Sequence, residues 1–126
     1  MSRAVAKWLE KTVARERRAL ERARKRFVAK PNEKRLHDVR TTGRRFRSLL
    51  EDVAILLPSK RLRRRVRGAA AATDAARDAA IILSLLQHTL GAGEAPVAEP
   101  LLTRLREQEA LATRAACTKL RRMHFT

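Results

Sequence analysis

A chain of 126 residues with a formal charge of +17 is long enough for one domain and points first to a polyanionic partner. Its single cysteine, Cys117, excludes an intrachain disulfide framework and fits a reducing cytoplasm. No apolar run approaches the about 18 residues of a membrane-spanning helix, and no apolar segment of the signal-peptide kind follows the first basic residues.

The first helix is predicted over about residues 2–29, with Ser2 as its cap. Trp8, Leu9, Thr12, Ala19, Leu20, Ala23 and Phe27 recur at helical spacing and form its expected packing stripe. Lys7, Lys11, Arg18, Arg22 and Lys25 leave a basic side exposed. Pro31 ends this helix, and Asn32 is placed to cap the second, predicted over about residues 33–56. There, Leu36, Val39, Gly43, Phe46 and Leu50 form an apolar stripe, while His37, Arg40, Arg44 and Arg47 line an adjoining side. Gly43 costs its helix about 1 kcal/mol relative to alanine. A close helix crossing would explain it; approach of a ligand to the backbone is the other reading.

Pro58 and Ser59 mark a turn before a third helix over about residues 60–88, which opens with Arg61, Arg63, Arg64, Arg65 and Arg67 and continues through an alanine-rich stretch. A loop whose composition suggests mobility is expected over residues 91–99. The last helix is expected over about residues 100–123, with Pro100 at its first position and Leu101, Leu102, Leu105, Leu111, Ala112, Ala115, Ala116 and Leu120 as its packing stripe. Cys117 is expected to pack as a small apolar residue. No strand pattern competes, so the expected fold is all-α: an antiparallel four-helix bundle or paired helical hairpins, forming a single domain over residues 1–126. Its core is expected from Leu, Val and Ile together with Trp8, Phe27, Phe46 and Phe125.

The charge is uneven. Residues 1–67 hold 23 basic and seven acidic residues, a net of +16, whereas residues 68–126 hold seven and six, a net of +1. An anion-binding surface is therefore expected from the first half, and a support or assembly surface from the second. Arginine supplies a fixed fork of donors that stays charged, and phosphate oxygens accept it in charge-assisted bonds. A row of arginines one turn apart suits a linear polyphosphate, because every phosphoryl unit carries charge. Nucleic acid is the main competitor: its backbone also repeats phosphates, but the chain has no tyrosine and few aromatic residues to stack on bases. A membrane surface is disfavoured, since the basic helices need their apolar stripes for folding. Catalysis has little support. His37 and Asp38 point about 100° apart on a helix, no metalloprotease, phosphate-loop or paired-cysteine motif occurs, and Asp74 and Asp78 beside Arg77 suggest ion pairing rather than a metal site. No cofactor is expected.

The stretch His37-Asp38-Val39-Arg40-Thr41-Thr42-Gly43-Arg44-Arg45-Phe46-Arg47 resembles the signature of the CHAD family, the conserved-histidine α-helical domains: a histidine, an arginine three residues on, an arginine pair and another arginine. The stretch Ala75-Ala76-Arg77-Asp78-Ala79-Ala80-Ile81 is similar to the family's second signature, an Arg-Asp pair inside a long helix. The resemblance implies an all-helical domain that binds inorganic polyphosphate in a basic groove or pore, without catalysis, in the cytoplasm and in association with polyphosphate granules. It implies that His37, Arg40, Arg44 and Arg47 line the ligand path. Arg45 would contact ligand or a neighbouring helix, Arg77 would lie near the tract, and Asp78 would orient a basic side chain. Lys7, Lys11, Arg18, Arg22, Arg63 and Arg67 would widen the tract, and Gly43 would support it structurally.

The chain departs from the family pattern in three ways. Family domains are commonly about twice as long, with two similar four-helix halves, whereas one signature and no internal repeat occur here. Asp74 stands where glycine is frequent, and Thr41 where valine is frequent. The length is that of a stand-alone half or of a fragment. A symmetric homodimer that rebuilds the second half is the expected assembly, with the near-neutral half of the chain supplying the contact.

Overall fold

The computed structural model describes residues 2–91 and 93–125. Four helices account for most of the chain, and no strand occurs among the described residues. They are α1 (Arg3–Ala29), α2 (Glu33–Asp52), α3 (Lys60–Thr89) and α4 (Ala95–Arg121). Each helix packs on two neighbours: α1 on α2, α2 on α3, α3 on α4, and α4 back on α1. The short connections make sequential helices antiparallel, so the chain is an all-α bundle.

Local chemistry sets the first two helix starts. Ser2 Oγ accepts from the Val5 N–H at 3.2 Å, and Asn32 Oδ1 accepts from the Arg35 N–H at 2.8 Å. Each satisfies an amide that the helix itself leaves unpaired. Two other boundaries differ from expectation. Helix α2 stops at Asp52 rather than at residue 56, because the chain turns over residues 53–56 and buries Val53 in the core. Helix α4 begins at Ala95, so most of the expected 91–99 loop is helical; Ala92 of that loop lies outside the described residues. Pro96 occupies the early position assigned to Pro100, where a missing N–H costs nothing. Pro100 sits inside the helix instead, one turn further on.

The core is built from Leu20 and Phe27 of α1, Phe46 and Leu50 of α2, Val66 and Ala76 of α3, Ala116 and Leu120 of α4, and Phe125 beyond it. The α2 stripe is as expected, with Leu36, Val39, Phe46 and Leu50 all buried. Trp8 is a correction: it is 63% exposed. The buried stripe of α1 runs Leu9, Val13, Leu20, Phe27, and Trp8 lies one residue, about 100°, off it. Leu101 and Leu111 are likewise exposed. Helix α4 meets the last turn of α1 at Cys117, whose Sγ lies 3.7 Å from the Val28 carbonyl oxygen. Leu101 lies about 100° from the buried Leu102, and Leu111 about 180° from both Leu102 and Leu120, so both point away from the packed side of α4. Cys117 itself packs as a buried small side chain.

One buried ion pair ties α4 to α1. Arg24 Nε donates to Glu21 Oε2 at 3.0 Å, Arg24 Nη2 pairs with Glu21 Oε1, and Arg24 Nη1 donates to the Leu120 carbonyl at 3.0 Å. The Phe125 N–H donates to Glu21 Oε2 at 3.0 Å, which pins the chain end over the core. Burial by itself would raise the Glu21 pKa. The hydrogen bonds from Arg24 and Phe125, with the charges of Arg24 and Lys25, outweigh it and hold the carboxyl below its ordinary 4.5.

Gly43 does not answer to a crossing too tight for a side chain. A Cβ there would meet Leu20 Cδ1 at 3.8 Å, ordinary van der Waals contact. Gly43→Ala is therefore expected to stabilise the fold by up to about 1 kcal/mol, read as a higher urea midpoint. A lower midpoint would show that Leu20 cannot accommodate the methyl group.

Candidate functional site

Two grooves flank α2. The first lies between α2 and α3 and has a volume of about 560 Å³. From α2 it is lined by His37, Arg40, Arg44 and Arg47, and from α3 by Arg77. This follows from the α2 sequence. Its apolar stripe faces the core, and the adjoining stripe comes to rest beside α3. From residue 37 to residue 47 the helix advances about 15 Å, so the cations form a row rather than a point. The alanines of α3, with Val66 and Ile81, make the opposite wall partly apolar.

The arginines differ in what they already hold. Arg40 Nη1 lies 2.7 Å from Thr73 Oγ1, 3.3 Å from the Ala70 carbonyl and 2.9 Å from Asp74 Oδ1, and its side chain is only 19% exposed. It clamps α2 to α3. Arg47 pairs with Glu51 one turn along at 3.0 Å, and Arg77 pairs with its neighbour Asp78 at 3.2 Å. Both pairs are about half exposed, so exchanging the carboxylate for another anion costs about 0–1 kcal/mol. Arg44 makes no ion pair or side-chain hydrogen bond among the described residues. His37 Nε2 lies 3.3 Å from Thr41 Oγ1 on the exposed crest of α2.

The second groove, between α1 and α2, holds about 320 Å³ and is lined by Arg22, Arg26, Arg35 and Arg45 with the single acid Asp38. His37 and Thr41 line both grooves. Arg45 thus turns away from the α3 side and pairs with Glu16 of α1 at 3.2 Å. Arg35 donates to the Arg26 carbonyl at 2.8 Å and caps the end of α1. Sequence reasoning passed over Arg26 and Arg35, because the two helices bring them together only across the turn at Pro31.

The remaining expected site residues are not gathered into these grooves. Lys7, Lys11 and Arg18 lie exposed on the outer side of α1, opposite Leu9, Leu20 and Phe27. Arg63 and Arg67 share the Asp74 side of α3 by helical spacing but do not line the groove. Arg63 Nε is sealed from solvent with no partner among the described residues. Gly43 lines the α2–α3 groove. Among the described residues no three His, Cys, Asp or Glu side chains are grouped to hold a metal ion, and no helix is long and apolar enough to cross a membrane.

A family model for the CHAD domain matches residues 11–126, nearly the whole chain. The chain belongs to the CHAD family. No curated protein and no solved structure matches it. CHAD domains are binding modules associated with polyphosphate. In this CHAD domain Asp74, which departs from the family's frequent glycine, is the carboxylate that holds Arg40. Thr41, at the other departure, faces His37 on the crest.

Proposed function

We propose that this CHAD domain binds inorganic polyphosphate along the α2–α3 groove and does no chemistry on it. The observation that carries this reading is the meeting of His37, Arg40, Arg44, Arg47 and Arg77 around one groove. A row of donors about 15 Å long suits a flexible linear anion. Arg44 offers an open guanidinium at the middle of the row, and the exposed pairs of Arg47 and Arg77 exchange readily. Arg45, with the α1–α2 groove, lies across the crest of α2. Asp78 orients Arg77, and Gly43 leaves room at the groove wall.

Non-specific nucleic-acid binding is the competing reading. It is disfavoured because Phe27, Phe46 and Phe125 are all buried, and Trp8, though exposed, lines neither groove. No aromatic platform stands beside the arginines to stack a base. The deciding experiment is competition at matched salt among long-chain polyphosphate, duplex DNA and RNA. Polyphosphate is expected to displace both nucleic acids and to release no orthophosphate during the incubation. Equal affinity for all three would establish a generic basic module, and phosphate release that scales with protein would overturn the non-catalytic reading.

A homodimer in the cytoplasm, at polyphosphate granules, completes the proposal. The C-terminal half of α3 leaves Ile81, Ile82 and Leu85 exposed on adjacent positions, in the part of the chain whose net charge is +1. Two copies meeting there bury apolar surface with little repulsion. Sedimentation is expected to give twice the chain mass, and Ile82→Glu with Leu85→Glu to give one. A monomer before the substitution, with and without polyphosphate, removes the dimer.

A further inference from the structure

The α1–α2 groove is cationic in its own right. Arg22 and Arg26 reach it from α1 and Arg45 from α2, against the single carboxylate of Asp38. The Arg22 and Arg26 side chains are exposed and make no ion pair or hydrogen bond among the described residues. They stand four residues apart on one helix, where like charges destabilise by a few tenths of a kcal/mol. An anion in the groove relieves that repulsion.

His37 and Thr41 belong to both groove walls. At these two residues the crest of α2 borders both the Arg44–Arg77 groove and the Arg22–Arg26 groove. Packed helix axes lie about 8–10 Å apart, so the two groove floors are separated by roughly one such distance. A tripolyphosphate, with only three phosphoryl units, is short enough to lie within one groove, whose row of cations is about 15 Å long. A longer chain reaches the other by passing over His37 and Thr41.

We infer that a single long polyphosphate crosses α2 at His37 and Thr41 and seats in both grooves, the α1–α2 groove forming a second binding segment for the same polymer. This rests on the reading of the α2–α3 groove as the polyphosphate site. It assigns Arg22 and Arg26 a role in chain-length selectivity: once one groove is filled, engagement of the other is intramolecular and adds affinity only for polymers that span the crest.

The test titrates tripolyphosphate and long-chain polyphosphate into the full chain and three charge-matched double variants: Arg22→Ser with Arg26→Ser, Arg44→Ser with Arg77→Ser, and the control Arg104→Ser with Arg122→Ser. All six positions are exposed, and circular dichroism verifies that each variant is folded. Relative to the control, loss of Arg22 and Arg26 is expected to weaken long-chain binding about tenfold or more while leaving tripolyphosphate within about twofold. If that variant tracks the control for both ligands, the α1–α2 groove is not a binding segment. If it weakens both ligands equally, the short ligand already sits there and the crossing is wrong. Failure of the underlying reading looks different: the unsubstituted chain binds neither ligand, or the Arg44 and Arg77 variant tracks the control.

Discussion

Replacing Arg44 and Arg77 together by alanine is expected to weaken polyphosphate binding about a hundredfold at moderate salt. A hydrogen bond to a charged partner contributes about 1.5–3 kcal/mol. Two such losses total about 3–6 kcal/mol, and each 1.4 kcal/mol is a factor of ten in affinity. The lower end applies, because both side chains are exposed and the solvent screens them. The pair is chosen for what it leaves intact. Arg44 holds nothing in the fold, and Arg77 holds only an exposed contact with Asp78. Arg40 is a poor probe by comparison, since its loss removes the clamp on Thr73 and Asp74 and moves α2 together with the ligand. The measurement is calorimetric titration with long-chain polyphosphate, beside a urea melt of each variant. An affinity within about threefold of the unsubstituted chain, less than half of one such bond, would remove the α2–α3 groove as the binding surface.

Removing Glu21 is expected to cost the fold about 3–5 kcal/mol, as breaking a buried pair on one side generally does. Glu21→Ala leaves the Arg24 guanidinium buried without its carboxylate and the Phe125 N–H without an acceptor. A domain of this size is held by about 5–15 kcal/mol in all, so much of its stability goes with one side chain. Replacing both partners, Glu21→Leu with Arg24→Met, is expected to recover most of the loss, because neither charge is then left unpaired. The same pair sets an acid limit. The folded-state pKa of Glu21 lies below its ordinary 4.5, so the unfolded chain takes up this proton first as the pH falls. The contribution is complete above about pH 4.5, declines below it, and is lost once the pH has passed through the folded value. Urea melts across that range, with Glu21→Gln as the reference, isolate the effect. A Glu21→Ala variant within about 1 kcal/mol of the parent, typical of an ordinary surface pair, would show that the pair is not what joins α4 to α1.

The features legible in the sequence were those decided within one or two helical turns. Ser2 and Asn32 cap because a short side-chain oxygen beside an unpaired amide acts locally. The buried stripe of α2 and its cationic neighbour were legible because helical periodicity fixes which residues share a side. The family signature covers that same helix, which is why the row from His37 to Arg47 was readable before any fold was known.

Where two stripes overlapped, periodicity was not enough. In α1 the series through Trp8, Thr12 and Ala19 competes with the one through Leu9, Val13 and Leu20, and only packing against α2 and α4 selected the second. In α4, leucines stand on several sides of the helix, and packing on α3 and α1 selected the side of Leu102, Ala116 and Leu120, which leaves Leu101 about 100° and Leu111 about 180° off it. The prolines of that helix allow a start near either residue, and the observed start places Pro96 in the first turn, where its missing N–H forfeits no helical hydrogen bond.

The sequence by itself determined an all-helical chain, a basic first half and the side of α2 on which the cations stand, because charge and helical phase are properties of neighbouring residues. Only the tertiary structure decided which helix faces each arginine. It placed Arg44 and Arg77 in one groove, turned Arg45 towards α1 beside Arg22 and Arg26, and made Arg40 a clamp rather than an open donor. Helical phase names a direction around an axis, and what lies in that direction is set by the packing of helices distant in the chain.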